Sequence, residues 1–98
     1  MYVQDYKLKT LNWDKKKNEV LKKEKNISFE EVILNIEMGN LLDVLIHPNP
    51  KKYPNQKIFV VKMKNYTYCV PFVENENEVF LKTIFPSRKL HKKYKDKE

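Results

Sequence analysis

Apolar positions along this chain follow two different periods. Phe29, Val32, Ile33 and Ile36 recur at i, i+3, i+4 and i+7, the spacing that lines one face of an α-helix. Ser28 precedes the stripe and Glu31 follows three residues later, which predicts a capping box with Glu31 reaching back to the cap. Gly39 stands where a left-handed residue should stop this helix. Asp14 predicts an N-cap for an earlier helix over 15–25. That segment has few apolar residues, chiefly Val20 and Leu21 after Trp13, so it should lie on the surface and show water a lysine-rich face.

From residue 41 the pattern changes to short apolar, β-branched runs at 41–47, 58–63, 66–73 and 79–85. Lys64-Asn65 reads as a hairpin turn, 74–77 as an acidic turn and 48–55 as a proline-rich loop. Residues 9–13 predict a short strand ahead of the helices. Pro71 lacks an N–H, which predicts an edge or a bulge at that point, and Pro86 should end ladder pairing. The expected fold is α+β: two N-terminal helices packed on an antiparallel β-sheet of three to five strands, with a short C-terminal basic helix or tail. A single domain over 1–98 is expected, with 1–8 and 95–98 as frayed ends.

Composition sharpens the picture at the surface. Lys and Arg total 20 against 13 Asp and Glu, a net charge of +7, which favours an acidic partner such as nucleic acid. A merely lysine-biased surface is the competing explanation. The single cysteine, Cys69, excludes an intrachain disulfide and reads as a small buried hydrophobe in a reducing, cytoplasmic setting. Residues 1–10 carry charges and no apolar core, unlike a signal peptide, and no apolar run approaches the ~20 residues of a membrane span.

Most enzyme classes find no support. His47 and His91 lie far apart with no ligand spacing around them, so neither a metal site nor a cofactor is expected, and one glycine cannot build a phosphate loop. RNA cleavage asks for less, because the substrate's 2′-OH is the nucleophile and the protein needs to move its proton and stabilise charge on phosphorus. Arg88 is the foremost candidate: it is the only arginine, and its planar fork grips phosphate bidentately as lysine cannot. His91, three residues on, is the natural acid or base. Lys89, Lys92 and Lys93 are candidates for holding RNA phosphates, and Tyr94 for stacking on a base or for pinning the tail to the sheet. Lys17, Lys22 and Lys25 are candidates for the other wall of a groove, against a plain solvated helix face.

The order of motifs carries a resemblance. Leu11-Asn12-Trp13-Asp14, a basic helix, Ile27-Ser28-Phe29-Glu30-Glu31, the strands and Ile84-Phe85-Pro86-Ser87-Arg88 together resemble the BrnT family of bacterial toxins over about residues 9–94. The resemblance implies a RelE-like fold and an endoribonuclease toxin of a type II toxin–antitoxin pair. It also implies a hetero-oligomeric complex with a cognate antitoxin that carries a ribbon-helix-helix DNA-binding part. The family places a Lys-His pair before its Ser-Phe-Glu motif; here Glu24 and Lys25 stand there, which makes Lys25 the third catalytic candidate. The alternative is a non-enzymatic basic module that binds RNA or protein.

Overall fold

The structure, a computed structural model, describes residues 9–95. The expected frayed ends lie outside them except for Lys95, which closes the last helix. The chain runs β1 (Thr10–Trp13), α1 (Lys15–Lys25), α2 (Phe29–Glu37), β2 (Leu41–Ile46), β3 (Gln56–Met63), β4 (Tyr66–Glu74), β5 (Glu78–Leu81), β6 (Phe85–Pro86) and α3 (Arg88–Lys95). The architecture is α+β, with three helices on a mixed six-stranded sheet in the order β1-β5-β4-β3-β2, and β6 also on β4.

Both helix starts follow local chemistry. Asp14 accepts from the backbone N–H groups of Lys16 and Lys17 at 2.8 and 3.2 Å. Ser28 Oγ accepts from the Glu31 N–H at 3.1 Å. The reciprocal half of the expected box is absent: the Glu31 carboxylate faces Lys64 Nζ at 3.6 Å instead, because the β3–β4 turn lies beside it. At the end of α2 the Gly39 N–H donates to Ile36 C=O and the Asn40 N–H to Asn35 C=O, with Gly39 at φ +89°. That pair of bonds is a Schellman closure.

The sheet departs from the expected meander in three ways. β1 pairs with β5 in parallel, because the two helices carry the chain away before the sheet begins, so the sheet is mixed and has six strands. Pro71 is buried in β4, an interior strand, rather than at an edge or bulge. Its C=O accepts from the Lys82 N–H at 2.8 Å, so its missing donor faces the gap between β5 and β6 and no ladder bond is lost there. The expected strand over 79–85 is consequently broken, and Pro86 still pairs with Tyr68 in β6.

Side-chain alternation gives the sheet two covered faces. Phe59, Val61 and Met63 of β3 and Val70 and Phe72 of β4 point to one face. There they bury with Leu21, Ile27, Phe29, Val32 and Ile36 of the α1–α2 layer. Phe59 and Phe72 stack at 3.9 Å between centroids, and Trp13 stacks on Phe29 at 5.7 Å. Ile33 of the predicted stripe is only half-buried. On the opposite face lie Asp43, Val60, Thr67 and Cys69, and α3 covers them.

Candidate functional site

The basic C-terminal segment is a docked helix. Ser87 caps it, with Oγ accepting from the Leu90 N–H at 3.2 Å and its C=O accepting from the His91 N–H at 2.9 Å. The Ser87 N–H donates to Thr67 C=O at 3.0 Å, which ties the helix start to β4. Helical spacing then sorts the eight residues. Leu90, His91 and Tyr94 turn toward the sheet, and Arg88, Lys89, Lys92, Lys93 and Lys95 are exposed.

His91 is fixed on two sides. Its ring stacks on Tyr66 at 4.2 Å with an interplanar angle of 20°, and Nδ1 lies 3.2 Å from Thr67 Oγ1. The fully buried Thr67 hydroxyl therefore orients the half-buried ring through Nδ1. Arg88 lies one turn before it, exposed and without an ion pair among the described residues. Arg88 and Lys89 also occupy the first turn, where helix partial charge is already positive and α3 has no acidic residue. Cations there are unfavourable by ~0.3–1 kcal/mol each at an exposed site. A bound phosphate reverses that sign.

Tyr94 is the pin rather than a platform. Its side chain is only 7% exposed, and its hydroxyl donates to Asp43 Oδ2 of β2 at 2.5 Å. The carboxylate acceptor, with burial, pushes the phenol up to about 12. A docked Tyr94 has no open face for a base, so its candidacy for stacking is corrected. Cys69 lies under the same helix; burial pushes its thiol up, against a smaller opposing effect from Ser87, as befits a structural hydrophobe.

The α1 lysines are not brought to this face. Lys17, Lys22 and Lys25 belong to the opposite layer, so they do not form the far wall of a groove over α3. Lys22 is directed at Glu19 and Glu30, at 3.4 and 4.0 Å. Lys25 ends α1 beside Asn26, whose C=O accepts from Lys64 Nζ at 2.6 Å. Since Tyr66 follows two residues after Lys64, the β3–β4 turn sets the end of α1 and His91 at the same end of the sheet, though on different faces.

Tyr66, Thr67 and Asp43 hold the site together, and no local pattern singles them out. Ser87 was detectable, because a serine after proline and before a basic run is a plausible cap. Asn18 is a further hidden organiser. Buried in α1, it accepts from the Phe29 N–H at 2.9 Å and donates to Glu30 at 2.8 Å, clamping α1 to the start of α2. Among the described residues there is no group of three or more His, Cys, Asp or Glu that could hold a metal ion, and no helix is long and apolar enough to cross a membrane. No protein family, curated protein or solved structure matches the chain.

Proposed function

We propose that the chain is the toxin of a type II toxin–antitoxin pair, a RelE-like endoribonuclease that acts through the exposed face of α3. The observation that carries this is the docked α3: one histidine oriented by Thr67 and Tyr66, the sole arginine one turn away, and further lysines on the same exposed side. The resemblance of the motif order to that of BrnT toxins supports it independently.

In this mechanism Lys89, Lys92 and Lys93 hold the RNA backbone. His91 Nε2 takes the proton from a ribose 2′-OH. The O2′–P bond forms, the P–O5′ bond breaks, and the leaving O5′ takes a proton from solvent or from the imidazolium. The products are a 2′,3′-cyclic phosphate and a 5′-OH. Arg88 stabilises the charge that accumulates on the phosphorane oxygens. Lys25 is a positional counterpart of the family's histidine, and its place on the other face gives it a supporting role in this scheme. A cognate antitoxin keeps the protein inactive in the cytoplasm.

The alternative, a non-enzymatic RNA-binding module, is favoured by one observation: His91 is the only histidine on α3, so no second imidazole stands there to protonate the leaving O5′. Incubation of the purified protein with total RNA, with and without EDTA, separates the two. The toxin proposal expects fragments with cyclic phosphate ends in both conditions. Retention of RNA without any cutting would support the binding module.

A further inference from the structure

β2 ends the sheet, and no strand lies on its outer side among the described residues. Exposed edges are ordinarily blunted by lysine, by proline or by an inward-pointing charge. β2 reads Leu41, Leu42, Asp43, Val44, Leu45, Ile46, with neither lysine nor proline, and Ile46 is 73% exposed. Its one charge is already engaged: Asp43 Oδ1 accepts from the Val44 N–H at 2.8 Å, and Oδ2 accepts from Tyr94. The His47 N–H donates inward to Gln56 C=O at 3.1 Å, so alternation turns the N–H groups of Ile46 and Val44 outward.

The two sides of this edge differ in chemistry. On the α1–α2 face alternation places Val44, packed against the core, and Ile46, whose exposure leaves an apolar step at the edge. On the other face, the Tyr94–Asp43 bond draws the last turn of α3, with Lys92, Lys93 and Lys95, toward β2. Lys51 and Lys52 lie in the loop that leaves the strand, and Glu37 is the one carboxylate in the last turn of α2.

We propose that the β2 edge receives an extended segment of a partner polypeptide that alternates apolar and acidic residues. The segment adds as a strand beside Val44 and Ile46. Its apolar side chains lie beside Val44 and Ile46 on the α1–α2 face, and its carboxylates face the lysines of α3. Strand addition takes the Val44 N–H from Asp43 Oδ1 and leaves Oδ2 on Tyr94. A second copy fits poorly: antiparallel pairing of two β2 edges sets two lysine-rich α3 helices on the same face of one sheet, in a chain of net charge +7. The proposed function is needed here only for the expectation that a partner exists.

The test uses the full chain and a fluorescent peptide of about eight residues alternating valine and glutamate, a typical strand length. Anisotropy should show binding that weakens by about tenfold or more when lysine replaces glutamate in the peptide. Ile46→Pro and Ile46→Lys should each weaken it by about the same factor, since one removes the outward N–H and the other charges the edge. The Val44 and Ile46 amides should gain exchange protection. Ile46→Lys, at an exposed position, keeps the test valid if the proline variant fails to fold. Unchanged binding to Ile46→Lys, protection away from β2, equal binding of a block peptide of the same composition, or a homodimer protected at β2 would each overturn the proposal. RNA cleavage is assayed on the same samples. Edge binding without cleavage would overturn only the ribonuclease proposal, and cleavage without edge binding only this one.

Discussion

Phe29 does two jobs at once. Its backbone N–H is held by Asn18, and its fully buried ring joins Trp13 to the core. Phe29→Ala should cost roughly 3–5 kcal/mol in denaturant unfolding, because the surrounding strands cannot collapse into the cavity. A loss no larger than that of a surface substitution would contradict this packing. Tyr94 makes a pH prediction. Its folded value of about 12 lies above the ordinary 10.0, so the protonated phenol is favoured in the folded state. The contribution is therefore complete below the unfolded value and is lost as pH rises through that window. Wild type should lose stability there relative to Tyr94→Phe. Parallel alkaline unfolding curves for the two proteins would contradict the Tyr94–Asp43 pin.

Among the elements, α2 was the most legible in sequence, since cap, stripe and terminal glycine agree. The Lys64-Asn65 turn was legible too; both residues take positive φ, 54° and 60°, as a two-residue hairpin requires. The strand expected at 79–85 is interrupted between Leu81 and Phe85, where Pro71 of the neighbouring strand lacks a donor, a partner that no local pattern names. The composition of α3 was legible, but its docking was not, since it depends on Thr67 and Asp43, which lie 24 and 51 residues away from their partners. Eight residues make a marginal helix alone, so α3 owes its shape to these anchors. Because α3 is held as one rigid cationic edge, its contacts to RNA should add. Affinity for single strands should fall with salt at a log–log slope of about −0.7 per phosphate contact. Lys92→Ala and Lys93→Ala should each reduce the slope by nearly one contact in a salt titration, and should leave cleavage of bound RNA intact. An unchanged slope in both variants would place the RNA elsewhere.

Across the whole molecule, charge is arranged by end and by face. At the end of β4 farthest from His91, Glu74 holds Lys9 and Lys57 at 2.7 and 2.8 Å. Burial pushes its carboxyl up, yet the bonds from Lys57 and Lys9 outweigh this and hold it below the ordinary carboxylate range. This stability is present above the ordinary carboxylate value and is lost as pH falls through the lowered one. Wild type should therefore lose more than Glu74→Gln on acidification, as followed by circular dichroism; equal loss would contradict the ion cluster. Among the described residues the cations of α3 have no such partner carboxylates. Composition foretold the excess of seven positive charges, but only the fold shows that α3 and the α1 lysines lie on opposite faces.

The central claim is that Arg88 serves the transition state while its lysine neighbours serve binding. Single-turnover cleavage of a short RNA at saturating concentration, in EDTA, compares wild type, Arg88→Ala and Lys92→Ala directly. Lys92→Ala should cut at the wild-type rate, and Arg88→Ala should be slower on the order of a hundredfold or more, because charge stabilisation is lost where it is needed most. Arg88→Ala cutting as fast as Lys92→Ala once RNA is saturating, or wild type leaving the RNA intact, would contradict it.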